Sequence, residues 1–118
     1  MDMLSPDTTV LARRETIVEK LLAILPAGAV IHDPIGTRAY ECDALTAYRC
    51  PPLAAVLPAT TAEVAAVLRL CHAERVKVVP RGAGTSLAGG SLPTEDSIIL
   101  GVSRMRAVLE VDLANRFI

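Results

Sequence analysis

Residues 54–81 read AAVLPATTAEVAAVLRLCHAERVKVVPR. This stretch decides the fold. Ala54-Ala55-Val56-Leu57 is a short apolar run closed by Pro58, the pattern of a buried strand. Thr60 is followed three residues later by Glu63, a T-x-x-E capping box that opens a helix. Val64, Val67, Leu68 and Cys71 then recur at i, i+3, i+4 and i+7, so the helix runs to about Glu74. Val76-Lys77-Val78-Val79 is β-branched and reads as the next strand. Strand, capped helix and strand make a βαβ unit, which implies parallel pairing and a right-handed crossover. The fold class is α/β (α+β).

Outward from this unit the pattern loosens. Downstream lies a glycine-rich loop. Ser97–Val102 then reads as an apolar strand, and Ala107–Asp112 alternates as another. Leu113-Ala114-Asn115 reads as a turn, and Arg116-Phe117-Ile118 opens a further strand. Upstream, residues 32–53 are punctuated by Pro34, Gly36, Pro51 and Pro52 and predict an irregular segment. Long irregular segments inside compact domains tend to be functional. Ile17, Leu21 and Ile24, widened by Val18, Leu22 and Leu25, give an amphipathic helix over about Arg13–Leu25. Residues 1–12 read as a loose leader.

Composition narrows the function classes. Twelve basic and thirteen acidic residues give a formal charge of −1 over 118 residues. No basic excess exists to neutralise a nucleic acid backbone. The aromatics are Tyr40, Tyr48 and Phe117, with no Trp, too few for a base-stacking surface. Apolar residues make up 52% and charged residues 21%, which excludes a disordered chain. A mean hydropathy of +0.43 is high for a small soluble domain. The longest uncharged stretches, Cys50–Ala62 and Gly82–Thr94, are 13 residues each and are broken by proline or glycine. A spanning helix needs about 20 apolar residues, so no membrane span is expected. The excess apolar surface is expected to meet more protein.

Targeting and metal signals are weak. Met1-Asp2-Met3 starts no signal peptide. Arg13-Arg14 reads as an exposed first helical turn, because Glu15, Glu19 and Lys20 stand where an apolar export run would be. Cys42, Cys50 and Cys71 form no CxxC pair and no metal spacing, as expected for reduced thiols in the cytoplasm. Cys71 falls on the apolar helix face and reads as packing. His32 and His72 are the only histidines, and His72 reads as a surface residue. No catalytic acid or base can be named, and no metal site is expected.

The loop carries the chemistry. Four of the seven glycines, Gly82, Gly84, Gly89 and Gly90, lie within Pro80-Arg81-Gly82-Ala83-Gly84-Thr85-Ser86-Leu87-Ala88-Gly89-Gly90-Ser91. Glycine admits positive φ and lets a ligand touch the backbone. Successive amides can converge on an anion. Thr85, Ser86 and Ser91 add hydroxyls, and Arg81 adds a charge at the mouth. A phosphate or pyrophosphate suits this set. A P-loop is excluded because no lysine is present. The G-x-G-x-x-G fingerprint fails at Leu87, and Gly89, Gly90 and Pro93 forbid a long helix after the loop. A tight-turn loop without a ligand is the plain alternative.

Pro80 to Gly90, P-R-G-A-G-T-S-L-A-G-G, resembles the pyrophosphate-binding segment of the FAD-binding domain of the vanillyl-alcohol oxidase/p-cresol methylhydroxylase (PCMH) type. Within it, the chain is similar to the glycolate oxidase FAD-linked subunit and its D-lactate and D-2-hydroxyacid dehydrogenase relatives. Tyr40-Glu41-Cys42-Asp43-Ala44-Leu45-Thr46-Ala47-Tyr48-Arg49 resembles the stretch before that family's first strand. Leu57-Pro58, Glu63-Val64, Cys71-His72 and Val78-Val79-Pro80 match as well, so the resemblance covers about residues 30–118. A reductase of the cell-wall precursor type fits the Tyr40–Arg49 stretch less well.

The resemblance implies roles. Gly82, Ala83, Gly84, Thr85 and Ser86 would give donors to the FAD pyrophosphate. Gly89, Gly90 and Ser91 would close around the adenosine side, and Pro80 and Arg81 would shape the entrance. Relatives with covalent flavin on this loop carry histidine where Thr85 stands, so non-covalent FAD is expected. The implied layout is a leader and helix over 1–30, an irregular segment over 31–53, and over 54–118 the first subdomain of a PCMH-type FAD-binding domain. That subdomain is expected to be truncated at its C-terminus, with the catalytic histidines beyond Ile118. The implied activity is FAD-dependent oxidation of a small 2-hydroxyacid such as glycolate or D-lactate, with electrons passed to partner subunits, one of them iron–sulfur. Placement is expected in the cytoplasm, peripheral to the inner membrane through such partners. A non-catalytic interaction module that holds no flavin is the rival reading.

Overall fold

The capping box at Thr60 forms, with one difference. In a computed structural model that describes residues 5–118, the Thr60 side chain accepts from the Glu63 amide at 3.1 Å. Glu63 reaches one residue further back than the motif requires and accepts from the Ala59 amide at 2.7 Å. The helix so opened, α4, spans Thr61–Glu74 in chain order after α1 (Thr8–Leu11), α2 (Arg14–Ile24) and α3 (Pro34–Thr37). It ends at Arg75, which takes a left-handed conformation (φ 56°), and the Val76 amide donates back to the Cys71 carbonyl at 2.9 Å.

Four strands form one sheet: β1 (Val30–Ile31), β2 (Ala54–Val56), β3 (Lys77–Arg81) and β4 (Ser97–Gly101). Their spatial order is β1-β2-β4-β3. β2 and β3 both run parallel to β4, and β1 runs antiparallel to β2. The two strands of the βαβ unit run parallel as expected, but the expected pairing between them is absent. β4 lies between them. All five residues of β4 are buried, as an inner parallel strand requires. Pro80 lies inside β3 and has no N–H to give a second neighbour, which suits β3 to the edge.

One face of the sheet carries the core. Ala54, Val56, Ile98 and Leu100 pack with Ile17, Val18 and Leu21 of α2 and with Val67 and Cys71 of α4. The packing role of Cys71 is as expected, and so is the α2 stripe at Ile17, Val18, Leu21 and Leu25; Leu22 and Ile24, also expected in it, are exposed. Burial pushes the Cys71 thiol up to about 11, so it stays protonated. Arg13 ties α2 to the end of α4, with Nη1 2.7 Å from Glu74 Oε2 and Nη2 2.9 Å from the Glu74 carbonyl. Arg14 donates to the Leu53 and His32 carbonyls. The two arginines do open a helix, but they brace it rather than stand free in solvent.

Other expectations are corrected. Residues 32–53 are not wholly irregular, since they hold α3 and a 3-10 turn over Arg38–Tyr40. Within the leader, α1 is a capped helical turn: Asp7 accepts from the Thr9 amide at 2.8 Å, and Val10 is buried. Residues 1–4 lie outside the described residues. Downstream, Ala107–Asp112 forms no strand, and Arg116–Ile118 contributes a single bridge, Phe117 to Asp112. The turn at Leu113–Asn115 is present, held by Asn115 N–H donating to Asp112 Oδ1 at 2.9 Å. The apolar side chains of Ala107–Asp112 stay exposed: Leu109 is 91% exposed and Val108 66%. A lone strand without neighbours is not stable.

The α1 turn is anchored on Asp96, only 1% exposed. Asp96 accepts from the Asp7 amide at 2.8 Å, from Lys77 Nζ at 2.7 Å and from the Thr94 hydroxyl at 2.7 Å. Burial pushes its carboxyl up, but these hydrogen bonds outweigh that and hold it at about 2, below its usual 3.8. A depressed folded-state pKa stabilises the fold above the unfolded pKa and stops doing so as pH falls through the folded value. The contribution is about 2 kcal/mol at neutral pH, lost between about pH 4 and pH 2. Urea midpoints measured from pH 5 to pH 2 are expected to fall more steeply in the parent than in Asp96→Asn. Equal slopes would remove Asp96 as the cause.

Candidate functional site

The parallel strands β2, β4 and β3 end on one edge of the sheet, the edge where ligands bind in open α/β folds. β2 leads there into the N-terminus of α4, β4 into residues 102–106, and β3 into the glycine loop. The Leu57 side chain packs over Gly101 between the first two. A Cβ there would lie 2.8 Å from Leu57 Cδ2.

The loop leaves β3 at Arg81 and carries two left-handed residues, Gly84 (φ 72°) and Gly89 (φ 74°). Ser91 Oγ donates to the Pro80 carbonyl at 3.2 Å and draws the two ends together. The Ser86 hydroxyl accepts from the Ala88 amide at 3.2 Å, and the Leu92 amide donates to the Gly89 carbonyl at 3.1 Å. Among the described residues, the amides of residues 83–87 donate to no backbone or side-chain acceptor. Gly82, Ala83, Thr85, Ser86 and Gly90 are exposed, and a Cβ on Gly82 or Gly90 would meet nothing within 4 Å. No acidic residue lies between Pro80 and Ser91. Unpaired amides, hydroxyls and open glycines without a carboxylate are a donor set for an anion.

All ten expected site residues thus gather at the end of β3. Arg81 has an additional engagement. Its Nη1 donates to the Cys42 carbonyl at 2.7 Å, and its guanidinium carbon lies 5.7 Å from the centre of the Tyr40 ring. The irregular segment therefore forms a wall beside the loop, with Leu45 Cδ2 3.9 Å from where a Gly89 Cβ would be. The length of that segment and its resemblance over Tyr40–Arg49 mark it in the sequence, but nothing there marks Tyr40, Cys42 or Leu45 as neighbours of the loop. Nor does anything there mark Asp43. Asp43 Oδ1 accepts from the Leu45 amide at 2.9 Å, while Oδ2 is the one buried side-chain oxygen without a partner among the described residues.

The loop itself is an open surface. A concavity on the same edge is lined by Ala59, Thr60, Arg104, Met105, Arg106 and Leu109, and no loop residue lines it. Among the described residues, no group of His, Cys, Asp and Glu could hold a metal ion, and no helix is long and apolar enough to cross a membrane.

A mixed sheet with a glycine loop of unpaired amides at its carboxyl edge is an architecture suited to a nucleotide cofactor. The chain belongs to the FAD-binding domain family, whose model matches residues 52–118. It is 40% identical over 103 residues to the glycolate oxidase subunit GlcD of Escherichia coli (strain K12), covering 87% of this chain and 21% of that one. It is 40% identical over 82 residues to the mitochondrial D-2-hydroxyglutarate dehydrogenase of Bos taurus, covering 70% and 15%. The crystal structure of p-cresol methylhydroxylase with substrate bound superposes with a TM-score of 0.67 at 16% identity, over 92% of this chain and 21% of that one. The fold is therefore the PCMH-type FAD-binding fold, and the cofactor is FAD. The chain spans about a fifth of the length of the curated relatives it matches.

Proposed function

We propose that this chain supplies the first half of the FAD site of an oxidoreductase acting on a small 2-hydroxyacid. The observation that carries the reading is the run of amides at residues 83–87 without partners among the described residues, presented by a left-handed Gly84 at the end of a parallel strand. Gly82, Ala83, Gly84, Thr85 and Ser86 donate to the pyrophosphate. Gly89, Gly90 and Ser91 close the adenosine side, and Pro80 and Arg81 shape the entrance. The layout is a leader and helix over 1–30, the irregular wall over 31–53 and the cofactor half over 54–118. Thr85 offers no imidazole for a flavin bond, so the FAD is held non-covalently. When bound, the flavin supplies the hydride-accepting chemistry, and the protein binds and orients it.

The relatives' names support a small 2-hydroxyacid such as glycolate, with oxidation to the 2-oxoacid. A further relative, of Schizosaccharomyces pombe, carries D-lactate dehydrogenase in its name and supports D-lactate. One relative is named a subunit, which supports partner subunits; the resemblance makes one of them iron–sulfur, with placement in the cytoplasm. The catalytic groups belong to the rest of such an enzyme. The exposed Val108, Leu109, Leu113 and Ile118 favour a second reading, an interaction module that holds no flavin.

Flavin fluorescence titration separates the two. This chain by itself is expected to bind FAD weakly or not at all. A chain extended to the length of its relatives is expected to retain FAD and to release it on denaturation. Sub-micromolar affinity in the 118 residues would disprove the half-site. A colourless extended protein would disprove the cofactor role. Flavin that stays attached after denaturation would disprove the non-covalent link.

A further inference from the structure

Both left-handed glycines of the loop face one assembly. The backbone of Gly84 lies on the Arg81 guanidinium, so that a Cβ at residue 84 would sit 2.3 Å from Arg81 Nη2 and 2.5 Å from Cζ. Gly89 turns toward Leu45. Arg81 is itself held at its root, because its carbonyl accepts from the Val102 amide at 3.0 Å beside β4. Its far end is held by the Cys42 carbonyl and the Tyr40 ring. It forms no ion pair among the described residues. The side chain thus spans from the sheet, under the loop, to the wall at residues 40–45.

We propose that Arg81 is a positioning residue: it holds the glycine loop in shape from beneath, against the Tyr40–Leu45 wall, and does not serve as the charge that pairs with the cofactor's phosphates. The inference deepens the pyrophosphate reading of the loop and rests on it. The shape of the side chain matters here. A planar guanidinium can lie against Gly84, face the Tyr40 ring and donate in its own plane to the Cys42 carbonyl. A lysine ammonium keeps the charge but has no plane to set beneath a backbone. The anion then meets amides that are already ordered, and pre-ordering raises affinity by removing the cost of arranging the loop at binding.

The test compares Arg81→Lys, Arg81→Met and Tyr40→Leu. NMR backbone order parameters of residues 82–88 in this chain, without FAD, read the brace directly. Both Arg81 variants are expected to drop from the rigid range near 0.85 to below about 0.6, and Tyr40→Leu to fall in between. Unchanged order in Arg81→Met overturns the proposal. FAD affinity is then measured in the extended protein. Arg81→Lys and Arg81→Met are expected to lose about tenfold or more, and to lose it equally. Parent-like affinity in Arg81→Lys beside a loss in Arg81→Met would make the charge the active property and overturn the proposal. Absence of FAD binding in the parent would overturn the cofactor reading instead, and the order parameters would still decide the brace. Arg81→Lys covers the case in which Arg81→Met fails to fold.

Discussion

Replacing Gly84 with valine is expected to lower FAD affinity by about a hundredfold to a thousandfold. Two costs combine. At φ 72° a residue with a Cβ is strained, by about 1–2 kcal/mol and more when β-branched. The new Cβ would also stand 2.3 Å from Arg81 Nη2. Arg81 must then move and give up its bond to the Cys42 carbonyl, a hydrogen bond from a charged donor worth about 1.5–3 kcal/mol. About 3–4 kcal/mol in all converts, at about 1.4 kcal/mol per decade, to the loss stated. Flavin titration of the extended protein measures it. Gly28→Ala is the control, because its Cβ would meet nothing within 4 Å and its φ is not left-handed. A Gly84→Val protein as yellow as the parent would refute the assignment of the loop.

Cutting Ile98 back to alanine is expected to cost about 3–4 kcal/mol of folding stability. Ile98 is fully buried on the inner strand β4, opposite Ala54 on β2 and Val78 on β3, and it belongs to the core with Ile17 and Leu21. Losing a buried isoleucine side chain removes its transfer energy and leaves a cavity, about 2–5 kcal/mol together. That is a large part of the roughly 5–15 kcal/mol that stabilises a small domain. Leu109→Ala, at a site 91% exposed, is expected to change stability by no more than about 0.5 kcal/mol. Urea denaturation compares the two. Similar midpoints for Ile98→Ala and the parent would mean that β4 is not the centre of the sheet.

The elements were easier to read than their arrangement. Thr60, Glu63 and the Val64–Cys71 stripe act within a few residues of one another, so α4 and its cap were visible in the chain. The place of β4 was not, because pairing between residue 54 and residue 98 leaves no local trace. Pro80 did carry a signal, since a proline inside a strand belongs at an edge, but it was read only as the entrance to the loop. The alternation at Ala107–Asp112 misled for another reason. Period-two hydrophobicity says which face needs cover, not that cover is there.

The site divides in the same way. Gly82, Gly84, Gly89 and Gly90 mark the loop because glycine's freedom is written in its identity. What touches the loop is not written so. Arg81 grips a backbone carbonyl, and any residue at position 42 would present one. Only the tertiary fold brings Cys42 and Tyr40 to it.

The strand order also sets a timetable. Of the four described strands β4 leaves the ribosome after the other three, yet it occupies an inner position of the sheet. A nascent chain that ends before residue 97 holds α2, β2, α4 and β3 with nothing between the two parallel strands. Their unpaired backbone and apolar faces stay open, a state prone to sticking to neighbours. The glycine loop lies in the tether between β3 and β4, and the ladder that anchors its root, Arg81 opposite Gly101, forms only when β4 seats. The sheet and the anchorage of its glycine loop therefore mature in one late step, and a chain stalled within the tether would have neither.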